Sequence, residues 1–223
     1  MTPRNDNAID WASSLYVNLL VKHLASRMPK LQELISQWSS EPAGTGTLDS
    51  DLTKNQDLKD ILLEEAPWML SALDETHYRH SLCELFDSQL LDRRIELATE
   101  KLQSLQLSDG GWSWFKGMES SYYTTFSVCS HLSKLYSYMS RNNVELDKST
   151  HRMLTKGMDY LDNEELDYYK KLGKKEKKWL PSNSPLHYMY MTSECGRKLS
   201  SKQKTMFDDY IKRIKKYPKD LSI

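Results

Sequence analysis

At 223 residues, with 31 basic and 31 acidic side chains, the chain is electrically balanced and long enough for one large domain or two small ones. Its apolar share of 39 % and charged share of 28 % are ordinary for a globular protein. No window approaches the roughly 18 consecutive apolar residues of a membrane span, and "MTPRNDNAIDW" lacks the apolar core of a signal peptide.

The charge is unevenly spread. Residues 164–223 carry 15 basic and 8 acidic side chains, whereas residues 1–163 carry 16 and 23. The sharpest run, "KKLGKKEKK" at 170–178, has only Trp179 as an adjacent ring. A nucleic-acid surface interleaves such charge with stacking rings, so this run reads as a solvated connection. Cys83, Cys129 and Cys195 lie far apart with no C-x-x-C pairing, which excludes a disulfide-rich scaffold and an all-cysteine zinc cluster. Each sits among apolar helical positions, where a cysteine acts as a small hydrophobe.

Helical periodicity runs from end to end. In "AIDWASSLYVNLLVKHLASRM", Ala8, Ala12, Leu15 and Leu19 form one stripe and Tyr16 and Leu20 a second. Pro29 suits the first turn of "PKLQELISQW". Residues 39–51 read as a loop, followed by helices over "NQDLKDILLEEA" and "PWMLSAL", then "ETHYRHSLCELF". Leu91, Ile95, Ala98, Leu102 and Leu105 make the cleanest apolar face.

In the following segment, Tyr122, Phe126, Cys129, Leu132, Tyr136 and Met139 share a face behind a cap at Ser120 or Ser121. Asp147 starts a helix carrying Leu154, Met158 and Leu161, and Pro185 fits a first turn behind Ser184. A final pattern through Met206, Tyr210, Ile211, Ile214 and Tyr217 stops at Pro218. No β alternation bounded by turn signals occurs, so the expected fold is all-α. Periodicity does not choose between a bundle, a solenoid and a double-layered toroid.

One stretch breaks the pattern. "SDGGWSWF", Ser108 to Phe115, packs two glycines, an acid and three rings between two long helices. A phosphate loop needs other spacing and a preceding strand, so that reading fails. As a corner the segment works: Gly110 and Gly111 take left-handed conformations that end a helix near Gln106. Asp109 accepts from turn N–H groups, while Trp112, Trp114 and Phe115 pin the corner to the core. A sugar-stacking platform is the functional alternative for these rings.

The segment "LQLSDGGW", with an apolar helix ahead and a capped helix behind, resembles the repeat of α/α-toroid proteins, in which antiparallel helix pairs form two concentric layers. Those proteins include terpene cyclases, protein prenyltransferases, and the thioester domains of alpha-2-macroglobulins and complement components. "YVNLL" (Tyr16–Leu20), "NQDLKDILLEEAPWML" (Asn55–Leu70), "LFDSQLL" (Leu85–Leu91), "LQLSDGGWSWFKGMESS" (Leu105–Ser121) and "HYMYMTSE" (His187–Glu194) together resemble the bacterial alpha-2-macroglobulin-like proteins, in their order.

The resemblance covers roughly residues 8 to 195. It implies an incomplete α/α toroid over 1–223, one thioester-like domain of a larger, periplasmic or cell-surface polypeptide. Its partners would be the parent's other domains and target proteases, with no nucleic acid and no membrane contact.

Active members of that family carry C-x-E-Q at the start of the first thioester-domain helix, where thiol and glutamine condense into an internal thioester. Counted back from "YVN", the motif falls on Asn7-Ala8-Ile9-Asp10, with Asn7 at the cysteine and Asp10 at the glutamine position. Neither residue supplies the leaving group or the acyl carbon. Cys83, Cys129 and Cys195 are followed three residues on by Phe86, Leu132 and Lys198, never by Gln. Covalent trapping is therefore expected to be absent.

Rival sites are weaker. The D-x-D-D acid of terpene cyclases does not occur; "DSD" at 49–51 and Asp208-Asp209 are isolated. His77, His80 and Cys83 suggest a zinc site, yet two histidines one turn apart are common and zinc needs more ligands. Glu64 and Glu65, an acid pair beside Trp68, read as solvated charges at a helix end or as partners for lysines such as Lys59. Thirteen tyrosines keep open a polysaccharide-cleaving site, without promoting any one of them. The expectation is a non-catalytic domain serving protease inhibition, with no catalytic residue, metal or cofactor. A carbohydrate-active or prenyl-type enzyme and a protein-interaction scaffold are the alternatives.

Overall fold

The computed structural model describes residues 2–40, 80–175 and 180–216. The expected helices over 55–66 and from Pro67, the loop from 41 to 51, His77, Glu64, Glu65, Trp68, Trp179 and Pro218 lie outside the described residues, whereas Ser39 and Ser40, expected to open that loop, are helical.

The fold is all-α. Helix α1 spans Ala8–Arg27, α2 Pro29–Ser40, α3 Ser88–Leu105, α4 Tyr122–Arg141, α5 Lys148–Lys175, α6 Asn183–Glu194 and α7 Ser201–Lys216. Residues 80–86 are also helical. The described residues contain no strand, only an isolated antiparallel bridge between Gln106 and Trp112.

The chain divides into two compact units, Val17–Ile95 and Thr2–Tyr16 with Glu96–Ile223. In the first, Ala25, Ile35 and Leu91 are buried, and Lys22–Asp92 and Arg94–Glu84 ion pairs decorate the surface. In the second, α4 lies against both α5 and α6, and α5 also meets α7.

That double contact explains the burial of α4. Cys129, Leu132 and Met139 are buried as the periodicity requires, but so are Thr124, Thr125, Val128, Ser130, Ser133, Leu135 and Ser137. Small hydroxyl side chains bury little bulk, and their oxygens find partners nearby: Ser133 donates to the Ser130 carbonyl at 3.2 Å.

Capping follows the sequence closely. Ser121 accepts from the Thr124 N–H at 3.3 Å, and Asp147 accepts from Ser149 and Thr150 at 2.9 and 3.0 Å. Helix α6 starts two residues earlier: it begins at Asn183 after Ser182, so Pro185 is its third residue and not its first.

Candidate functional site

The corner is built around Trp112, which is fully buried. Its indole Nε1–H donates to the Leu102 carbonyl at 2.9 Å, and its backbone N–H donates to Thr125 Oγ1 at 2.8 Å. Its carbonyl accepts from Ser121 N–H at 2.9 Å, which ties the corner to the start of α4. The ring lies against Gly157 of α5: a Cβ there would stand 2.4 Å from Cζ3 of Trp112 and 2.7 Å from Sγ of Cys129. A glycine in mid-helix thus provides the flat seat for the indole.

The two corner glycines do different work. Gly110 has φ +92 and brings its Cα so close to α5 that a Cβ would meet the Lys156 carbonyl oxygen at 2.4 Å. Gly111 has no positive φ, contrary to the expected pair of left-handed residues; it lacks room instead, with Ser120 Cβ at 2.7 Å and the Tyr160 ring at 3.0 Å. One left-handed residue suffices because Leu107 N–H already closes the reversal onto the Gly111 carbonyl at 2.8 Å. Asp109 acts as expected, accepting from Gly111 N–H at 2.9 Å and from the Ser120 hydroxyl at 2.6 Å. Gln106 adds a bond that spacing did not reveal, donating to the Gly110 and Met153 carbonyls, each at 2.9 Å.

Trp114 and Phe115 do not pin the corner to the core. They are 36 % and 47 % exposed, and with Tyr123 they form a surface aromatic group. Trp114 stacks on Tyr123 at 6.1 Å between centroids, with the planes 12° apart. The reason is geometric: Trp112 and Ser113 turn inward and are fully or nearly buried, and the chain then runs outward through a turn to Gly117.

Asn7 and Asp10 sit together at the amino end of α1. Asn7 is buried, and its side-chain oxygen accepts from the Asp10 N–H at 2.9 Å, an N-cap bond. Ala8 N–H reaches the Trp114 carbonyl at 3.4 Å, so the helix start abuts the corner. Asp10 turns outward to accept from Asn5 at 3.0 Å. Around them, Asp6 accepts from the Trp11 indole at 2.7 Å and pairs with Lys101, whose ammonium lies 5.6 Å from the Trp11 ring centre.

Two polar groups, one buried and one half-buried, went unread in the sequence. Glu165 of α5 is 2 % exposed and accepts from the Tyr122 hydroxyl, while its second oxygen has no hydrogen-bond partner among the described residues. Burial raises its carboxyl pKa, against the opposing Tyr122 hydrogen bond; burial and Glu165 together push the Tyr122 phenol well above its usual range. The available signal was position, since Glu165 lies four residues after Leu161 on a core stripe.

The second group centres on Arg197, which pairs with Asp159 at 2.6 Å and Asp162 at 2.8 Å. Asp162 also accepts from Tyr188, and Gln203 donates to the Tyr188 hydroxyl at 2.9 Å. These bonds fasten α5, α6 and α7 together.

Cys129 and Cys195 are held away from the thiolate form. Burial pushes Cys195 up to about 11 and Cys129 well above its ordinary value. Cys83 is half-buried, with its sulfur 3.8 Å from the Ile35 carbonyl, and His80 is exposed. No metal-binding group of His, Cys, Asp or Glu occurs among the described residues. Asp209 is engaged by Tyr169 and Arg213, at 3.1 and 2.8 Å. Among the described residues no helix is long and apolar enough to cross a membrane.

No family model matches the chain, and no curated protein or solved structure matches it either.

Proposed function

We propose that this chain is a non-catalytic α/α-toroid domain of a secreted alpha-2-macroglobulin-like protein, serving protease inhibition or trapping without a thioester. The observation that carries the reading is the amino end of α1. Asn7 and Asp10 occupy the helix start beside the DGGW corner, and the Asn7 amide caps the helix where the resembling family places its thiol. The raised pKa values of Cys129 and Cys195 support the loss of thiol chemistry. The engagement of Asp159, Asp162 and Asp209 with arginines favours structural over acid–base roles for these carboxylates.

A second reading, a protein-interaction scaffold, is favoured by the exposed Trp114–Phe115–Tyr123 group, because aromatic residues at a surface are common anchors of protein contacts. Both readings place the partner among proteins, either neighbouring domains of a larger chain or a protease.

The test is a mixture of the protein with active serine and metalloproteases, analysed by native size exclusion and then under denaturing conditions. Non-covalent inhibition gives co-elution and slowed cleavage of a protein substrate, with no adduct surviving denaturant. A denaturant-stable adduct overturns the non-covalent reading. Absence of co-elution with any protease removes inhibition and leaves the scaffold.

A further inference from the structure

The second unit carries a groove of about 860 Å³ between the end of α4, the turn after it and the start of α5. One wall is set firmly by the end of α4, where Asn143 is left-handed at φ 56 and Val144 N–H reaches back to the Met139 carbonyl at 2.9 Å. That wall presents Tyr136, Val144 and Leu146. The Tyr136 ring is held against His151 at 5.6 Å between centroids.

The α5 side of the groove carries a line of cations, with His151 and Thr155 beside them. Lys148, Arg152 and Lys156 recur every four residues along α5, all exposed, and none has an ion pair or side-chain hydrogen bond among the described residues. Among the described residues Glu145 is the one acid lining the groove. Other exposed cations of this unit, Lys134 and Lys204 among them, also have no ion pair among the described residues; Lys148, Arg152 and Lys156 differ in that all three line one groove.

Spacing narrows the occupant. Four residues of α-helix advance about 6 Å along the axis. Alternate side chains of an extended peptide stand about 6.6 Å apart on one side, with the intervening ones on the other. A strand laid along the groove therefore offers every second side chain to the cations and the rest to Tyr136, Val144 and Leu146.

We propose that this groove binds an extended peptide segment carrying carboxylates at alternate positions, separated by apolar residues. The lining combines the three cations of α5 with Tyr136, Val144 and Leu146 beside Ser140, Asn143 and Glu145, a mixture that favours a peptide over a uniformly charged polyanion. The inference does not rest on the function proposed above.

Fluorescence anisotropy tests it with three labelled peptides: one alternating Glu with Val or Leu, one with Gln replacing Glu, and one with the same composition but contiguous glutamates. The alternating peptide binds, weakening as salt screens the contacts, while the other two bind at least roughly tenfold more weakly. Lys148→Glu with Arg152→Glu lowers affinity roughly tenfold or more, and Lys156→Glu alone lowers it measurably. Lys204→Glu, an exposed cation on α7, leaves affinity unchanged. Equal binding of all acidic peptides, equal loss in Lys204→Glu, no binding of the alternating peptide, or tighter binding of a sulfated oligosaccharide overturns the proposal.

Discussion

Replacing Gly157 by alanine opposes two effects of known sign. Helix propensity favours alanine over glycine in a helix interior by about 1 kcal/mol. Against it, the new methyl would stand 2.4 Å from Cζ3 of Trp112, 3.1 Å from its Cη2 and 2.7 Å from Sγ of Cys129. The ring has no room to yield, because its Nε1–H is fixed to the Leu102 carbonyl and its backbone N–H to Thr125.

Overpacking a rigid site costs about 1–3 kcal/mol, and a contact this short, against atoms held on both sides, belongs at or above the upper end. The net expectation is a loss of about 2 kcal/mol or more, which lowers Tm by roughly 4–8 °C or more for a chain of this length. Thermal and urea unfolding followed by circular dichroism measures it.

The companion experiment isolates the cause. Trp112→Ala alone costs about 3–5 kcal/mol, but in that background Gly157→Ala should become neutral or stabilising, since the methyl then enters vacated space. If Gly157→Ala is stabilising in the wild-type background, or if the two changes add without coupling, the indole seat is wrongly described.

Four further outcomes follow from the geometry. Gly110→Ala should cost about 3 kcal/mol or more, because positive φ is compounded by the Lys156 carbonyl, while Gly117→Ala, also at positive φ but in open space, should cost about 1; urea midpoints compare them. Asp147→Ala should lose about 1 kcal/mol of capping. Burial raises the Asp147 pKa but bonds from Ser149 and Thr150 outweigh it and hold the carboxyl low, so the deficit should be present above the ordinary aspartate range and vanish as pH falls through the folded value.

Glu165→Gln should keep the Tyr122 bond and remove a charge that burial disfavours. With the folded pKa raised, wild type loses stability as pH rises from the ordinary glutamate value through the folded one, so the variant should gain on it over that window and match it least favourably in acid; pH-dependent melting reads this. The triple change Asn7→Cys, Ile9→Glu, Asp10→Gln should allow condensation with loss of ammonia, seen by intact mass and by thiol release on adding methylamine; an unchanged mass counts against equating this helix start with the family's motif.

Helix type and the main apolar faces were legible because burial on one side imposes its own period. Leu91, Ala98, Leu102 and Leu105 are all buried, as are Leu154, Met158 and Leu161. Faces contacted by two neighbours were not legible: α4 hides serines and threonines among α5 and α6, and small polar residues carry no apolar signal. The corner was legible at Asp109, Gly110 and Trp112, where turn chemistry is local. It misled at Trp114 and Phe115, since residue type says that a ring is large but not which way the chain turns after Ser113. Gly157, Gln106 and the Glu165–Tyr122 pair depend on what faces them across 30 to 50 residues of chain, and no local rule reaches that far.

Helix α5 links the corner to the groove while keeping them chemically separate. Its 153, 157 and 161 side meets Trp112, Cys129 and the core, and there a missing side chain is the structural requirement. Its 148, 152 and 156 side is exposed and cationic. The two sides share one rigid backbone, whose Lys156 carbonyl presses on Gly110 while the Lys156 side chain lines the groove. Charge reversal on the groove side therefore leaves core packing untouched, whereas a methyl at Gly157 strains the segment that carries the groove cations. Peptide affinity should thus respond to Gly157→Ala even though that residue does not line the groove, and stability should be nearly indifferent to Arg152→Glu, since Arg152 has no ion pair or side-chain hydrogen bond among the described residues.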